Sequence, residues 1–89
     1  MKIISGGRGT GKTKKMLEMA SETGGIVVCR DPADMRERAH SYGINIRQIS
    51  FVPYNGLNEG IWAPIYIDNI EQYLKSQCPH LKSFTISID

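Results

Sequence analysis

The strongest constraint on this chain is a glycine-studded run near its start, Gly6-Gly7-Arg8-Gly9-Thr10-Gly11-Lys12-Thr13. It follows Lys2-Ile3-Ile4-Ser5, a short apolar strand, and from Lys12 onward Met16, Leu17 and Ala20 lay an apolar stripe on a helix. Glycines between a strand and a helix let successive backbone N–H groups turn inward without obstruction from Cβ atoms. The orphan amides of the helix and the positive end of its dipole face the same point. Backbone alone therefore builds an anion pocket here. Lys12 adds a mobile point charge suited to β- and γ-phosphates, and the Thr13 hydroxyl is suitably placed to ligate Mg²⁺.

The remaining segments alternate between strand and helix. Gly24-Gly25 stops the first helix, and the β-branched run Ile26-Val27-Val28-Cys29 fits a strand buried on both faces, as in a parallel sheet. Asp31 can cap a second helix with Pro32 at its first position; Met35, Ala39 and Tyr42 form its apolar stripe and Gly43 ends it. Ile49, Phe51 and Val52 suggest a third strand, and residues 53–60 read as a loop dense in turn residues. Ile65-Tyr66-Ile67-Asp68 is a further strand closed by an acid. Ile70, Tyr73, Leu74 and Cys78 line a third helix that Pro79 halts, and Phe84-Thr85-Ile86-Ser87-Ile88 alternates like a last strand. This order predicts an α/β fold with a mostly parallel sheet of about five strands and about three helices on both its faces.

Eighty-nine residues at 10.0 kDa predict a single domain over residues 1–89. A chain of this size buries only about 60 to 65% of its unfolded surface, so its core is thin and a homo-oligomer or a protein partner is an expected complement. No apolar run approaches the roughly 18 residues of a membrane span, which predicts a cytoplasmic protein with no membrane partner. Cys29 and Cys78 stand alone and read as buried thiols rather than as a zinc site or a disulfide.

The net charge of +2 is unevenly divided: residues 1–47 hold nine Lys/Arg against five Asp/Glu, and residues 48–89 hold two against four, giving halves of +4 and −2. A positive first half suits a phosphate-bearing ligand. It supports nucleic-acid binding only weakly, because Asp34 and Glu37 interleave with Arg36 and Arg38 and no stacking aromatics run beside them. His40 and His80 lack any ligand pattern.

Residues 6–13 match the Walker A pattern G-x-x-x-x-G-K-[ST], and on this motif the chain resembles the P-loop NTPases. Their wording looks especially like the ATPase loop of phage terminase large subunits, which often carry an arginine at the place of Arg8. The resemblance implies a three-layer P-loop NTPase-like fold and ATP or another nucleoside triphosphate with Mg²⁺ as ligand. Gly6, Gly7, Arg8, Gly9, Thr10, Gly11, Lys12 and Thr13 would hold the nucleotide, although Arg8 reads equally as a solvated loop residue. If the topology is that of the additional-strand class, the last strand inserts between the Walker A and Walker B strands.

The same superfamily carries a Walker B strand ending in Asp, and Ile65-Tyr66-Ile67-Asp68 fits it. Asp68 would then join Thr13 on the metal and Lys12 in the catalytic set; its alternative role is to cap the following helix, with Glu71 completing an acidic capping box. Terminases place a catalytic Glu directly after this Asp, whereas this chain has Asn69, which cannot accept a proton. Glu71, two residues further on, reads as cap or surface charge in preference to general base. The chain is too short between Tyr42 and Trp62 for the lid and acceptor pocket of a nucleoside kinase. Its length and Ile-Asp-Asn-Ile-Glu-Gln-Tyr-Leu also look like the tiny P-loop proteins of phage and prophage genes, which would place it in the host cytoplasm.

Two functions stay open at this stage. One is an Mg-NTP-binding protein with weak or partner-dependent hydrolysis, favoured by the intact Lys12, Thr13 and Asp68. The other is a non-catalytic, nucleotide-dependent adaptor, favoured by Asn69. Tyr54, Leu57 and Trp62, in or beside the longest loop, suit base stacking, a partner contact or packing of the loop on the sheet.

Overall fold

A computed structural model of the chain describes Ile3, residues 11–57 and residues 63–87. The expected first strand, the loop glycines through Thr10, Trp62 and Ile88 lie outside the described residues, Ile3 excepted. The elements are α1 (Lys12–Thr23), β1 (Ile26–Cys29), α2 (Pro32–Ser41), a 3-10 turn at Ile46–Gln48, β2 (Ser50–Pro53), β3 (Ile65–Ile67) and α3 (Ile70–Gln77). The three strands form a parallel sheet in the order β2-β1-β3. The chain is thus an α/β protein in which β1 is central, as its unbroken apolar run requires.

Each helix starts and stops on recognisable chemistry. Gly11 precedes α1 at φ 73°, a left-handed conformation that a side chain would strain. At the far end the Gly25 N–H returns to the Ala20 carbonyl at 2.9 Å. Asp31 caps α2 by accepting from the Asp34 N–H at 3.1 Å, with Pro32 at the first position as expected.

Strand register decides which side chains meet the helices. Val27 pairs with Phe51 on one side and with Tyr66 on the other, so the three project from one face together with Cys29. That face meets both α1 and α2. Met16, Leu17 and Ala20 from α1 and Met35 and Ala39 from α2 are buried in one cluster with Val27, Cys29 and Ile49. The Tyr66 hydroxyl lies 2.9 Å from Thr23 Oγ1 on α1, while Arg36 of α2 stacks over the Phe51 ring at 5.2 Å. These two helices share that face, with α1 over β1 and β3 and α2 over β1 and β2.

Three sequence expectations need correction. Phe84 to Ser87 form no strand: the alternating pattern is present, but no described strand runs beside it, and Phe84 and Ile86 are each 50% exposed. Cys78 is exposed: it caps the end of α3, a helix with no buried residue. Tyr42 caps the end of α2 at the surface instead of extending its buried stripe. No helix among the described residues is long and apolar enough to cross a membrane.

Candidate functional site

The C-terminal ends of parallel strands collect at one edge of a sheet, where loops deliver side chains to a common point. Asp68 is the residue after β3, and Thr13 sits in the first turn of α1, 55 positions earlier. The two meet at that edge. The Thr13 hydroxyl donates to Asp68 Oδ1 at 3.5 Å, a long hydrogen bond with both side chains half-buried. Of the expected nucleotide-binding residues, Gly6, Gly7, Arg8, Gly9 and Thr10 lie outside the described residues, while Gly11, Lys12 and Thr13 are described.

The first turn of α1 adds positive potential at this point. The first intrahelical hydrogen bond runs from the Lys15 N–H to the Gly11 carbonyl at 3.0 Å, so the positive end of the helix dipole lies at this turn. No acidic residue stands in this turn to offset the dipole. Burial pushes the Asp68 carboxyl above the ordinary carboxylate value; the Arg38 charge, the Thr13 hydrogen bond and the Lys12 charge oppose that rise. Lys12 therefore contributes its charge at Asp68 as well as at the helix start.

The main chain around Asp68 is held on both sides. Its N–H donates to the Val28 carbonyl at 2.9 Å, and its carbonyl accepts from the Tyr54 hydroxyl at 2.9 Å. Asn69 then turns left-handed, at φ 58° and ψ 77°, and its side chain accepts from the Gln72 N–H at 3.3 Å. Asn69, and not Asp68, is thus the cap of α3, and the alternative reading of Asp68 as that cap is corrected. Asparagine suits the position because its short polar side chain both tolerates this conformation and caps. Glu71 pairs with Lys75 at 3.1 Å across an exposed helix face, which matches its reading as a surface charge.

The donor chemistry can be judged against the metal that the sequence suggested. A hydroxyl and a carboxylate oxygen are hard ligands, and a protein supplies Mg²⁺ with only one or two such groups when phosphates and waters complete its shell. Thr13 and Asp68 fit that division. Among the described residues no cluster of three or more His, Cys, Asp or Glu gathers to form an all-protein metal site. Sequence reasoning missed Tyr54 as a support of Asp68; a tyrosine at the end of one strand does not reveal that it reaches a strand two places away.

Comparison with protein-family models, with curated proteins and with solved structures finds no match for this chain.

Proposed function

We propose that this protein binds a nucleoside triphosphate with Mg²⁺, the triphosphate lying in the loop of residues 6–13 and the metal between Thr13 and Asp68. The observation that carries the reading is the 3.5 Å approach of Thr13 to Asp68. A strand-ending carboxylate and the hydroxyl following a glycine-lysine pair meet beside a helix start that lacks acidic residues. Within this reading Lys12 neutralises charge on the β- and γ-phosphates, Thr13 and Asp68 hold the metal, and the backbone of residues 6–11 cradles the phosphates. Bound Mg²⁺ would supply charge neutralisation on the phosphates. The proposed family is the P-loop NTPases, with residues 2–5 as the strand that feeds the loop; the three-layer, five-strand sheet of that family would also need residues 84–88, of which Phe84 to Ser87 are unpaired here.

Hydrolysis is proposed to be weak or dependent on a partner. Asn69, at the position where a catalytic Glu stands in terminases, is committed to capping α3, and Glu71 is engaged with Lys75. Those two observations equally favour a second reading, a nucleotide-dependent adaptor that does not turn over. The two are separated by titrating labelled ATP with Mg²⁺ and then following phosphate release in wild type and Lys12→Ala. Binding that weakens about 10- to 100-fold in the variant supports both readings, since a charged hydrogen bond to phosphate is lost. Turnover abolished by Lys12→Ala selects the enzyme, and binding without turnover selects the adaptor. Wild type that binds no nucleoside triphosphate contradicts both.

A further inference from the structure

Tyr54 leaves the end of β2, yet its hydroxyl reaches the residue that follows β3, although β1 lies between those strands. Neighbouring strands are about 4.8 Å apart, so the outer two are separated by about twice that, and the tyrosine spans the gap over the end of β1. Its departure is set by a tight turn: the Gly56 N–H donates to the Pro53 carbonyl at 2.9 Å, with Tyr54 the first of the two residues between them. A Cβ on Gly56 would come within 2.8 Å of Pro53 Cδ, so the turn closes tightly behind the tyrosine. The ring packs edge-on against Tyr73 of α3, with centroids 5.7 Å apart and planes at 79°, and the hydroxyl also lies 3.4 Å from Gln72 Oε1.

These contacts act on the main chain of Asp68 and leave its carboxylate to Thr13. The N–H of Asp68 is tied to β1 and its carbonyl to Tyr54, so the peptide on each side of its Cα is fixed. Without the second tie the corner would be held through the Asp68 N–H alone, and its Cα, with the carboxylate it carries, would be freer to shift against Thr13. We propose that Tyr54 is a positioning residue, which holds the corner at Asp68 so that its carboxylate and the Thr13 hydroxyl converge on one metal ion. This rests on the Mg²⁺ role proposed for Thr13 and Asp68. It also makes the loop that begins at Pro53 a mechanical neighbour of the metal.

The test is the Mg²⁺ concentration that half-saturates the enhancement of ATP binding, compared for wild type and Tyr54→Phe, together with ATP affinity in EDTA. Phenylalanine keeps the edge contact with Tyr73 and removes only the hydroxyl. We expect Tyr54→Phe to need about five- to tenfold more Mg²⁺, with ATP affinity in EDTA unchanged. In the nucleotide-free protein, the Asp68 amide should exchange hydrogen faster in the variant. In an Asp68→Asn background the same change should add no further loss. An unaltered Mg²⁺ requirement, or an equal loss of binding in Mg²⁺ and in EDTA, would overturn the positioning role. Wild type that binds ATP equally well with and without Mg²⁺ would instead overturn the metal reading beneath it.

Discussion

Asp68 illustrates how a single residue can be held against its own stability. Its carboxyl is raised above the ordinary value of 3.8, chiefly by burial. As pH rises from below that value, the unfolded chain releases this proton first, so stability falls until pH has passed the raised folded value. Asp68→Asn should therefore be more stable than wild type at neutral pH in EDTA, and the difference should vanish below about pH 4. Denaturant melts at the two pH values measure it; a variant less stable at pH 7 would show that the ionised carboxylate stabilises the empty fold. The two cysteines give a second residue-scale contrast. The Cys29 thiol is fully buried and pushed up to about 11, by burial first and then by the charges of Asp68, Asp31 and Asp34, whereas Cys78 is exposed. Alkylation at pH 8 should label Cys78 promptly and leave Cys29 protected until the chain unfolds. Equal labelling rates in the native protein would contradict the packing of β1.

Among the elements, the junction between α1 and β1 leaves little room for change. A Cβ on Gly25 would meet Tyr66 Cε2 at 2.6 Å, Cδ2 at 2.9 Å and the Pro64 carbonyl at 3.0 Å. The ring cannot swing aside freely, because its hydroxyl is tied to Thr23. Gly25→Ala should cost about 1–3 kcal/mol, read from urea denaturation, as overpacking of a closed site does. Asn69→Ala should cost about 1 kcal/mol by loss of the α3 cap, and Asn69→Gly less, since glycine accepts the left-handed backbone. Most elements were legible because they carry local chemistry. The Asp31-Pro32 start of α2, the double glycine after α1 and the β-branched run of β1 each satisfy a backbone requirement within a few residues. The parallel sheet followed from the order of elements. Less legible was anything set by distant neighbours. The pattern of Phe84 to Ser87 carries the alternation of a strand but cannot supply a strand to pair with, and the stripes of α1 and α2 do not reveal that they share one face. In the same way Asn69 was legible as the absence of an acid, while its work as a cap depends on the left-handed turn that only the fold displays.

At the scale of the whole molecule, one cluster unites α1, α2 and the sheet, and Leu17 of α1 is fully buried in it. Leu17→Ala should cost about 2–5 kcal/mol, a large fraction of what a chain of this size possesses, and should disturb the site because α1 carries Thr13. Because the proposed site joins the start of α1 to the end of β3, Thr13 and Asp68 should behave as one unit in ligand binding. Calorimetric titration of ATP in Mg²⁺ and in EDTA tests this most directly, using wild type, Thr13→Ala, Asp68→Asn and the double variant. The account predicts that Mg²⁺ tightens binding in wild type, that either single substitution removes most of that gain, and that the double variant loses no more than the worse single one. Full retention of the Mg²⁺ gain in both single variants, or a wild type that binds no nucleoside triphosphate, would contradict it.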